Sequence, residues 1–108
     1  MIANTPEPPY YAVVFTAKLN SLISESENDY TSTLNQLRSE VENLPGFLGM
    51  ESTGKEDEIT VSYWKDIDDI RNWQTNKEHF IAKKKGIREW YDSYKVRICK
   101  VEKSYGID

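Results

Sequence analysis

The spacing of hydrophobic residues changes along the chain, and each change marks a predicted element. YYAVVFTAKL (10–19) is rich in β-branched and aromatic residues and predicts a strand. From Tyr30 onward, apolar residues recur at steps of three and four over 30–44, which is typical of an amphipathic helix. Asn28 or Asp29 is placed to cap the start of this helix.

A β-hairpin is predicted after this helix. Pro45-Gly46 ends the helix, because proline disfavours helical backbone in the residue before it. FLGMEST (47–53) and ITVSYW (59–64) predict two strands, and the charged segment GKEDE (54–58) predicts an exposed turn between them. We expect the carboxylates of that turn to be solvated.

Two helical stretches are predicted after the hairpin. Asp66 is a suitable N-cap for a helix whose apolar stripe includes Trp73. Asn76 is placed to cap a second stretch that carries His79. Lysines followed by Gly86 are typical of a helix C-terminus, so this stretch is expected to end there.

The order of elements defines the fold class. SYKVRICKVEKSY (93–105) predicts the last strand. The order β-α-β-β-α-β predicts an α+β, ferredoxin-like fold with a four-stranded antiparallel sheet and helices on one face. The proline-rich segment 1–9 is predicted to be an extended arm, 10–105 the domain and 106–108 a tail.

The strands are apolar on both faces, which predicts a partner. A sheet with helices on one face and water on the other should alternate cleanly between apolar and polar positions. The last strand instead places Tyr94, Val96 and Ile98 on one face and Cys99 and Val101 on the other. A second copy of the sheet is the simplest cover, so we expect a homodimer through that sheet face.

Composition narrows the classes of partner and site. The formal net charge of −4 argues against nucleic acid or an anionic membrane as an obligatory partner. No apolar run approaches the roughly 20 residues that span a bilayer. The N-terminus lacks the features of a signal peptide, so a cytoplasmic protein is expected. Cys99 is the only cysteine, and no Cys/His cluster has metal-ligand spacing, so neither a disulfide nor a metal site is predicted.

Four segments carry a combined pattern: YYAVVFTAKL, LPGFLGMES, ITVSYWKDIDDIRNWQTNKEHFIAKKKG and WYDSYKVRICKVEKSY. Its most specific parts are Pro-Gly-Phe at the second strand, and Tyr-Trp-Lys-Asp with His-Phe about fifteen residues later. In these segments the chain resembles the antibiotic biosynthesis monooxygenase domain, a member of the dimeric α+β barrel superfamily. The resemblance covers about residues 10–105.

The resemblance implies a pocket in each subunit, between the helices and the sheet. Members that need no cofactor oxidise electron-rich, often polycyclic aromatic compounds. The protein holds the substrate, excludes water and assists its deprotonation, and the substrate anion reacts with oxygen. An aromatic-lined pocket with one or two polar groups suits that chemistry. The family also contains haem-degrading enzymes and domains of no known activity, so the fold alone does not decide the activity.

His79 and Trp73 are the candidate catalytic residues. In the predicted second helical stretch, His79 lies near a helix N-terminus, whose dipole disfavours the imidazolium and leaves a neutral base. Two alternatives stay open for His79: a structural or substrate-orienting role at the helix–sheet junction, and a metal or haem contact. Trp73 lies on an apolar helix stripe, so it is a core residue by default and a pocket residue if a cavity exists.

The other aromatic candidates would line the same pocket. A flat ring suits a planar ligand, and an indole adds one hydrogen-bond donor. Each is a core residue by default. The substrate-binding candidates are Phe15, Tyr63, Trp64, Phe80 and Trp90.

Haem-degrading members of the family resemble the chain less well. They use an asparagine on the first strand, a tryptophan on the second-half helix and a histidine about ten residues later. With the tryptophan aligned on Trp73, the asparagine position falls near Thr16 and the histidine position on Lys83. Only the tryptophan matches, so haem degradation is not expected.

Two functions from different classes therefore stay open. The first is a cofactor-independent monooxygenase for a small aromatic or polyketide-like compound. The second is a non-catalytic dimeric module, stress-related or ligand-binding, with the same fold. The family favours the first, and the lack of any polar constellation beyond one histidine favours the second.

Overall fold

The structure is a computed structural model that describes residues 2–19, 27–53, 57–83 and 91–107. Inside the helices, its description leaves out the side chains of 27–31, 33–34 and 77–83. The described elements are β1 (Tyr10–Leu19), α1 (Glu27–Val41), β2 (Phe47–Thr53), β3 (Asp57–Trp64), α2 (Ile67–Lys83) and β4 (Tyr91–Val101). No helix in these segments is long and apolar enough to cross a bilayer.

The predicted fold class is confirmed. The strands form one antiparallel sheet in the order β2-β3-β1-β4, so β1 lies at the centre between β3 and β4. This order and the β-α-β-β-α-β sequence of elements define the ferredoxin-like arrangement. Strands β1 and β2 begin and end where the sequence predicts them.

The hairpin and the last strand differ at their ends from the predictions. β3 begins at Asp57 instead of residue 59, so Glu58 belongs to the strand and not to an exposed turn. Asp57 and Glu58 pair with Lys18 and Ala17, which extends the strand ladder. This pairing supplies backbone hydrogen bonds, and it is not predicted from the charged sequence of this segment. β4 covers 91–101 instead of 93–105.

Helix α2 is continuous, where the sequence predicts two stretches. It runs without a break through Asn76 and His79 to Lys83. An asparagine inside a helix costs only a few tenths of a kcal/mol, whereas a new helix would require a second nucleation, so one helix is favoured. His79 is therefore not near a helix N-terminus, and the dipole argument for its neutral imidazole is wrong.

The hydrophobic core lies between the helices and one face of the sheet. Val13 of β1, Trp64 of β3, Val41 of α1 and Ile70 of α2 form one cluster, each at most 2% exposed. Burying side chains of this kind stabilises a fold by roughly 1.5–3 kcal/mol each. Since both helices meet the same strands here, the prediction that they cover one face of the sheet is confirmed. The partly buried residues around the cluster are Tyr11, Leu44, Phe47, Met50 and Trp73.

The connection from α1 to β2 depends on Gly46. Its φ of +80° lies in the left-handed region that favours glycine. A Cβ at this position would also overlap the carboxylate of Asp69 in the first turn of α2. The Gly46 carbonyl accepts a hydrogen bond from the Lys65 N–H at 2.8 Å, which ties the connection to the segment that enters α2.

The other face of the sheet, called the open face here, has no helix packed on it within the described residues. Directly paired residues of antiparallel strands point to the same face, so the register assigns its members. As predicted, Cys99 lies on the face opposite to Tyr94, Val96 and Ile98. The open face includes Tyr10, Ala12, Val14 and Thr16 of β1, Gly49, Glu51 and Thr53 of β2, Ile59, Val61 and Tyr63 of β3, and Lys95, Arg97, Cys99 and Val101 of β4.

Residues 2–9, the N-terminal arm, lie across one end of the open face. The Ala3 N–H donates to Glu51 Oε2 at 2.9 Å, and the Thr5 hydroxyl donates to the Tyr10 hydroxyl at 3.0 Å. A Cβ on Gly49 would come within 2.9 Å of the Ala3 Cβ, so glycine at this position lets the arm approach β2. At this end Tyr10 is 4% exposed, although it points away from the helices.

Tyr63 is fixed beneath the arm by Glu51. Its hydroxyl donates to Glu51 Oε1 at 2.6 Å, and its ring packs edge-to-face on Tyr10 with centroids 5.9 Å apart. Burial, then the hydrogen bond to Glu51 and its negative charge, raises the pKa of Tyr63 to about 12. Glu51 thus accepts hydrogen bonds from the sheet and from the arm, and it joins the two.

Gly46→Ala is expected to lower the free energy of unfolding by about 1–2 kcal/mol, because an alanine must enter the left-handed region there. The added Cβ must also displace Asp69. Urea unfolding measures the change. Gly106→Ala is the matched control, since a Cβ there meets nothing within 4 Å. Equal midpoints for the two variants would contradict the role assigned to Gly46.

Tyr63 is expected to make stability fall at alkaline pH. Its pKa of about 12 in the fold exceeds the value of 10.0 for an unperturbed tyrosine. The folded chain therefore holds this proton where the unfolded chain has released it, so the stabilisation is complete below pH 10 and is lost as pH rises towards 12. Urea midpoints across this range should drop more steeply for the native chain than for Tyr63→Phe. Tyr105→Phe, at an 89% exposed position, should behave like the native chain. Parallel curves for all three would refute the assignment.

Candidate functional site

The first of two aromatic groups on the helix side of the sheet belongs to the core. Trp64 packs edge-to-face on Phe47 at 5.3 Å between ring centroids and lies against Trp73 at 5.4 Å. Trp64 is fully buried, and its Nε1–H donates to the Ser62 hydroxyl at 2.9 Å. An indole has a single donor, so that of Trp64 is already used inside the protein.

The second aromatic group lies at the other end of the same face. Phe15 stacks on Tyr94 at 5.8 Å and meets Tyr91 edge-to-face at 5.5 Å, and the two tyrosine rings are 6.3 Å apart. The register explains this grouping, because Tyr94 pairs with Ala17, two residues from Phe15 on the same face. A register shift between Lys18 and Leu19 lets Tyr91 join them.

A carboxylate completes the second group. Glu58 Oε2 accepts a hydrogen bond from the Tyr91 hydroxyl at 3.1 Å, and Glu58 Oε1 accepts one from the Thr60 hydroxyl at 3.1 Å. Thr60 pairs with Phe15 across β1 and β3, so the carboxylate is held beside the three rings. We call Phe15, Glu58, Thr60, Tyr91 and Tyr94 the aromatic site.

The aromatic site is accessible from solution, in contrast to the core group. Tyr94 is 64% exposed, and Val96 and Ile98 continue an exposed apolar row on the same side of β4. A planar ligand that stacks on Tyr94 would lie beside the Glu58 carboxylate, whose oxygens accept hydrogen bonds. The arrangement therefore suits an aromatic compound that carries a hydrogen-bond donor.

The structure divides the predicted site residues between both faces of the sheet. Phe15 lies in the aromatic site, whereas Trp64 and Trp73 lie in the core group. Tyr63 does not line a space between helices and sheet, because its register with Ala12 places it on the open face. The prediction for Tyr63 as a wall of that pocket is therefore corrected.

The other predicted residues have no described side chains. His79 and Phe80 have backbone positions in the last part of α2, with side chains outside the described residues. Trp90 lies in 84–90, outside the described residues altogether. In the described segments, no three His, Cys, Asp or Glu side chains come together as metal ligands would.

Three members of the aromatic site are not predicted from the sequence: Glu58, Tyr91 and Tyr94. Glu58 follows two other acidic residues, Glu56 and Asp57, and such a charged segment predicts a turn and not a strand. Extending the β3 alternation backwards from Trp64 through Ser62 and Thr60 would have placed Glu58 on the helix side. The alternation of β4 separates Tyr94 from Cys99 but does not say which of the two faces the helices. The neighbours of Tyr94 across the sheet depend on the register between β1 and β4, which the sequence does not give.

Solved structures with the same fold include proteins from the predicted family. SnoaB, a cofactor-independent oxygenase from Streptomyces nogalater, matches with a TM-score of 0.70 and 12% identity over 90% of this chain and 97% of that one. A Nitrosomonas europaea protein provisionally assigned as an antibiotic biosynthesis monooxygenase matches at 0.69 and 11%, covering 85% and 89%. A dimeric ferredoxin-like protein from an uncultured marine organism matches at 0.72 and 9%, covering 94% and 95%. The resemblance to this family is therefore confirmed at the level of the fold.

Sequence comparison gives a nearer relative. No known family model matches the chain. The protein YqjZ of Bacillus subtilis (strain 168), described as uncharacterized, is 45% identical over 104 residues, which are 94% of this chain and 88% of YqjZ. With nearly the whole length of both proteins aligned at this identity, the chain belongs to the same family as YqjZ, on the ferredoxin-like fold that SnoaB also has.

Proposed function

We propose that the protein binds a small hydroxylated aromatic compound at the aromatic site and acts on it as a cofactor-independent monooxygenase. The observation that carries the proposal is the Glu58 carboxylate held beside the rings of Phe15, Tyr91 and Tyr94. The fold shared with SnoaB, described as a cofactor-independent oxygenase, supports the reaction class.

The proposed reaction uses dioxygen as the oxidant and the aromatic compound as the source of electrons. Deprotonation of the compound raises its electron density and lets it react with oxygen. One oxygen atom enters the compound, and the other leaves as water with the two hydrogens that the compound gives up. Stacking holds the ring system, and Glu58 accepts a hydrogen bond from its donor.

His79 keeps its proposed catalytic role, as the base that accepts the proton, and Trp73, predicted as a second catalytic residue, is proposed as a positioning residue. Phe80 and Trp90 are proposed as further contacts of the ligand. The packing of Trp73 on Trp64 at 5.4 Å fits an indirect role, in which Trp73 supports the site from the core side. A cytoplasmic location stays a prediction.

A homodimer through the open face is part of the proposal. A structural neighbour is described as dimeric, and Ile59 on the open face is 44% exposed. Val14 and Val61 on the same face are only partly buried. A second copy would remove these apolar side chains from water.

Ligand binding without catalysis is the second candidate. Polar side chains of both aromatic groups already have partners within the protein: Trp64 with Ser62, and Glu58 with Thr60 and Tyr91. A carboxylate held in this way orients a ligand well but transfers a proton less readily. Binding and oxygen consumption must therefore be measured separately.

Tyr94→Ala is expected to weaken the binding of a naphthol probe by about five- to tenfold, because one aromatic stacking contact is worth roughly 1 kcal/mol. Quenching of the intrinsic tryptophan fluorescence by the probe measures the dissociation constant. Tyr105→Ala, in the exposed tail, is the matched control and should bind like the native chain. An unchanged constant for Tyr94→Ala, or an equal loss for both variants, would exclude the aromatic site as the binding site.

Oxygen uptake with hydroxynaphthalenes and hydroxyanthracenes separates the two candidates. For a monooxygenase, uptake should need the compound and the protein together, and His79→Ala should lower the rate at least about a hundredfold. Glu58→Gln should mainly weaken binding, because it keeps an acceptor oxygen but removes the charge. Tight binding with no uptake for any compound would leave the protein as a binding module.

A further inference from the structure

The N-terminal arm of the chain already covers part of the open face. Contacts of particular residues hold the arm in this position. Ala3 and Thr5 are half-buried and hydrogen-bonded to the sheet, while Ile2 and Asn4, which alternate with them, are exposed. Gly49 gives the space in which Ala3 approaches β2. Glu51, which holds the Ala3 N–H, is held in turn by the Tyr63 hydroxyl.

This fixed arm changes the surface that a partner would meet. Ile2 is 87% exposed at the outer side of the arm, and Ile59 is 44% exposed on the strip of sheet that the arm leaves uncovered. The arm and the uncovered strip therefore each carry an exposed apolar side chain on this side of the sheet. A charge-assisted hydrogen bond such as that between Ala3 and Glu51 resists displacement of the arm by a competing surface.

Charges on the open face argue that the partner is a second copy. Lys95 and Arg97 lie on the β4 side of the face, and Glu51 lies on the β2 side, at the opposite edge of the sheet. A twofold axis parallel to the strands would place β4 of one subunit above β2 of the other. Lys95 and Arg97 of each subunit would then lie on the side of Glu51 of the other, so these opposite charges are complementary across the twofold axis.

We propose that the N-terminal arm is a structural part of the subunit interface: it stays folded on its own sheet, and its outer side, with Ile2, contacts the second copy. The inference rests on the homodimer of the proposed function. It adds that residues 2–9 form part of the contact surface and do not compete with the partner for the open face.

Two variants test the role of the arm in the dimer. Ala3→Pro removes the N–H that donates to Glu51 and leaves the sheet unchanged. Ile2→Asp places a charge on the outer side of the arm and keeps the contacts of its inner side. Each is expected to raise the dimer dissociation constant at least about tenfold. Arg71→Ala is the control, because this 74% exposed side chain belongs to α2 on the other side of the sheet, and it should stay within about twofold of the native chain. Sedimentation velocity over a dilution series gives the constants, and urea unfolding checks that every variant is folded.

The outcomes separate the two proposals. Native dimers with unchanged constants for Ala3→Pro and Ile2→Asp would overturn the role of the arm and leave the homodimer intact. Tighter dimers for Ala3→Pro would also overturn it, since the arm would then compete with the partner. A native chain that stays monomeric up to about 100 μM would remove the homodimer itself.

Discussion

The central strand β1 carries apolar side chains on both of its faces, and the rest of the structure depends on covering both. Val13 points to the helices and is 1% exposed, and its neighbour Ala12 points to the open face and is 5% exposed. Because adjacent strand residues point in opposite directions, no single layer can cover both. The two helices cover one face, and the N-terminal arm covers one end of the other. The N-terminal arm is thus a partial third layer, on the side of the sheet opposite to the helices.

The helix side of the sheet is divided along its length into a sealed end and an accessible end. At the sealed end, Trp64 is surrounded by Phe47 and Trp73 and has its only donor satisfied by Ser62. Such a group stabilises the fold and offers little to a ligand. At the accessible end, the rings lie beside the edge strand β4, where no further strand of the described chain shields them. Edge position and a half-buried carboxylate, more than aromatic content, distinguish the site from the core.

Periodicity and breakers predicted the elements of this protein well, because each depends on local sequence. Asp66 precedes the first residue of α2, as expected. Helix α1 differs from its prediction at both ends: it begins at Glu27, so Asn28 and Asp29 lie inside it and do not cap it, and it ends at Val41. A turn in which the Leu44 N–H donates to the Val41 carbonyl separates the helix from Pro45. Prediction failed where the outcome depends on contacts between distant segments. Glu58 is a strand residue because β1 pairs with it, and Asn76 continues a helix because propagation is cooperative.

The same limit explains the candidate site. From the sequence, the aromatic residues are candidates as a class. Their composition does not show which of them lie on the same face of the sheet. Trp64, Phe15 and Tyr63 were equivalent candidates, yet they lie in the core, in the aromatic site and on the open face. Only the strand register decides among these places, and a shift of one residue would reverse each of them. The contacts of the arm could not be predicted either, because no local sequence pattern links Ala3 to Glu51.

The two faces of β1 also connect the proposed activity with the proposed assembly. Phe15 faces the aromatic site, while Val14 and Thr16, its direct neighbours, face the surface proposed for the second copy. The same alternation on β4 places Tyr94 on one side and Lys95 on the other. A partner that packs on the open face would therefore restrict the motion of β1 and β4, the strands that carry Phe15 and Tyr94 on their other side. Since a ligand stacked on these rings needs them at a fixed spacing, a contact that limits the motion of β4 also lowers the entropy lost on ligand binding. The proposed assembly and the proposed ligand binding would thus act on one pair of strands from opposite sides.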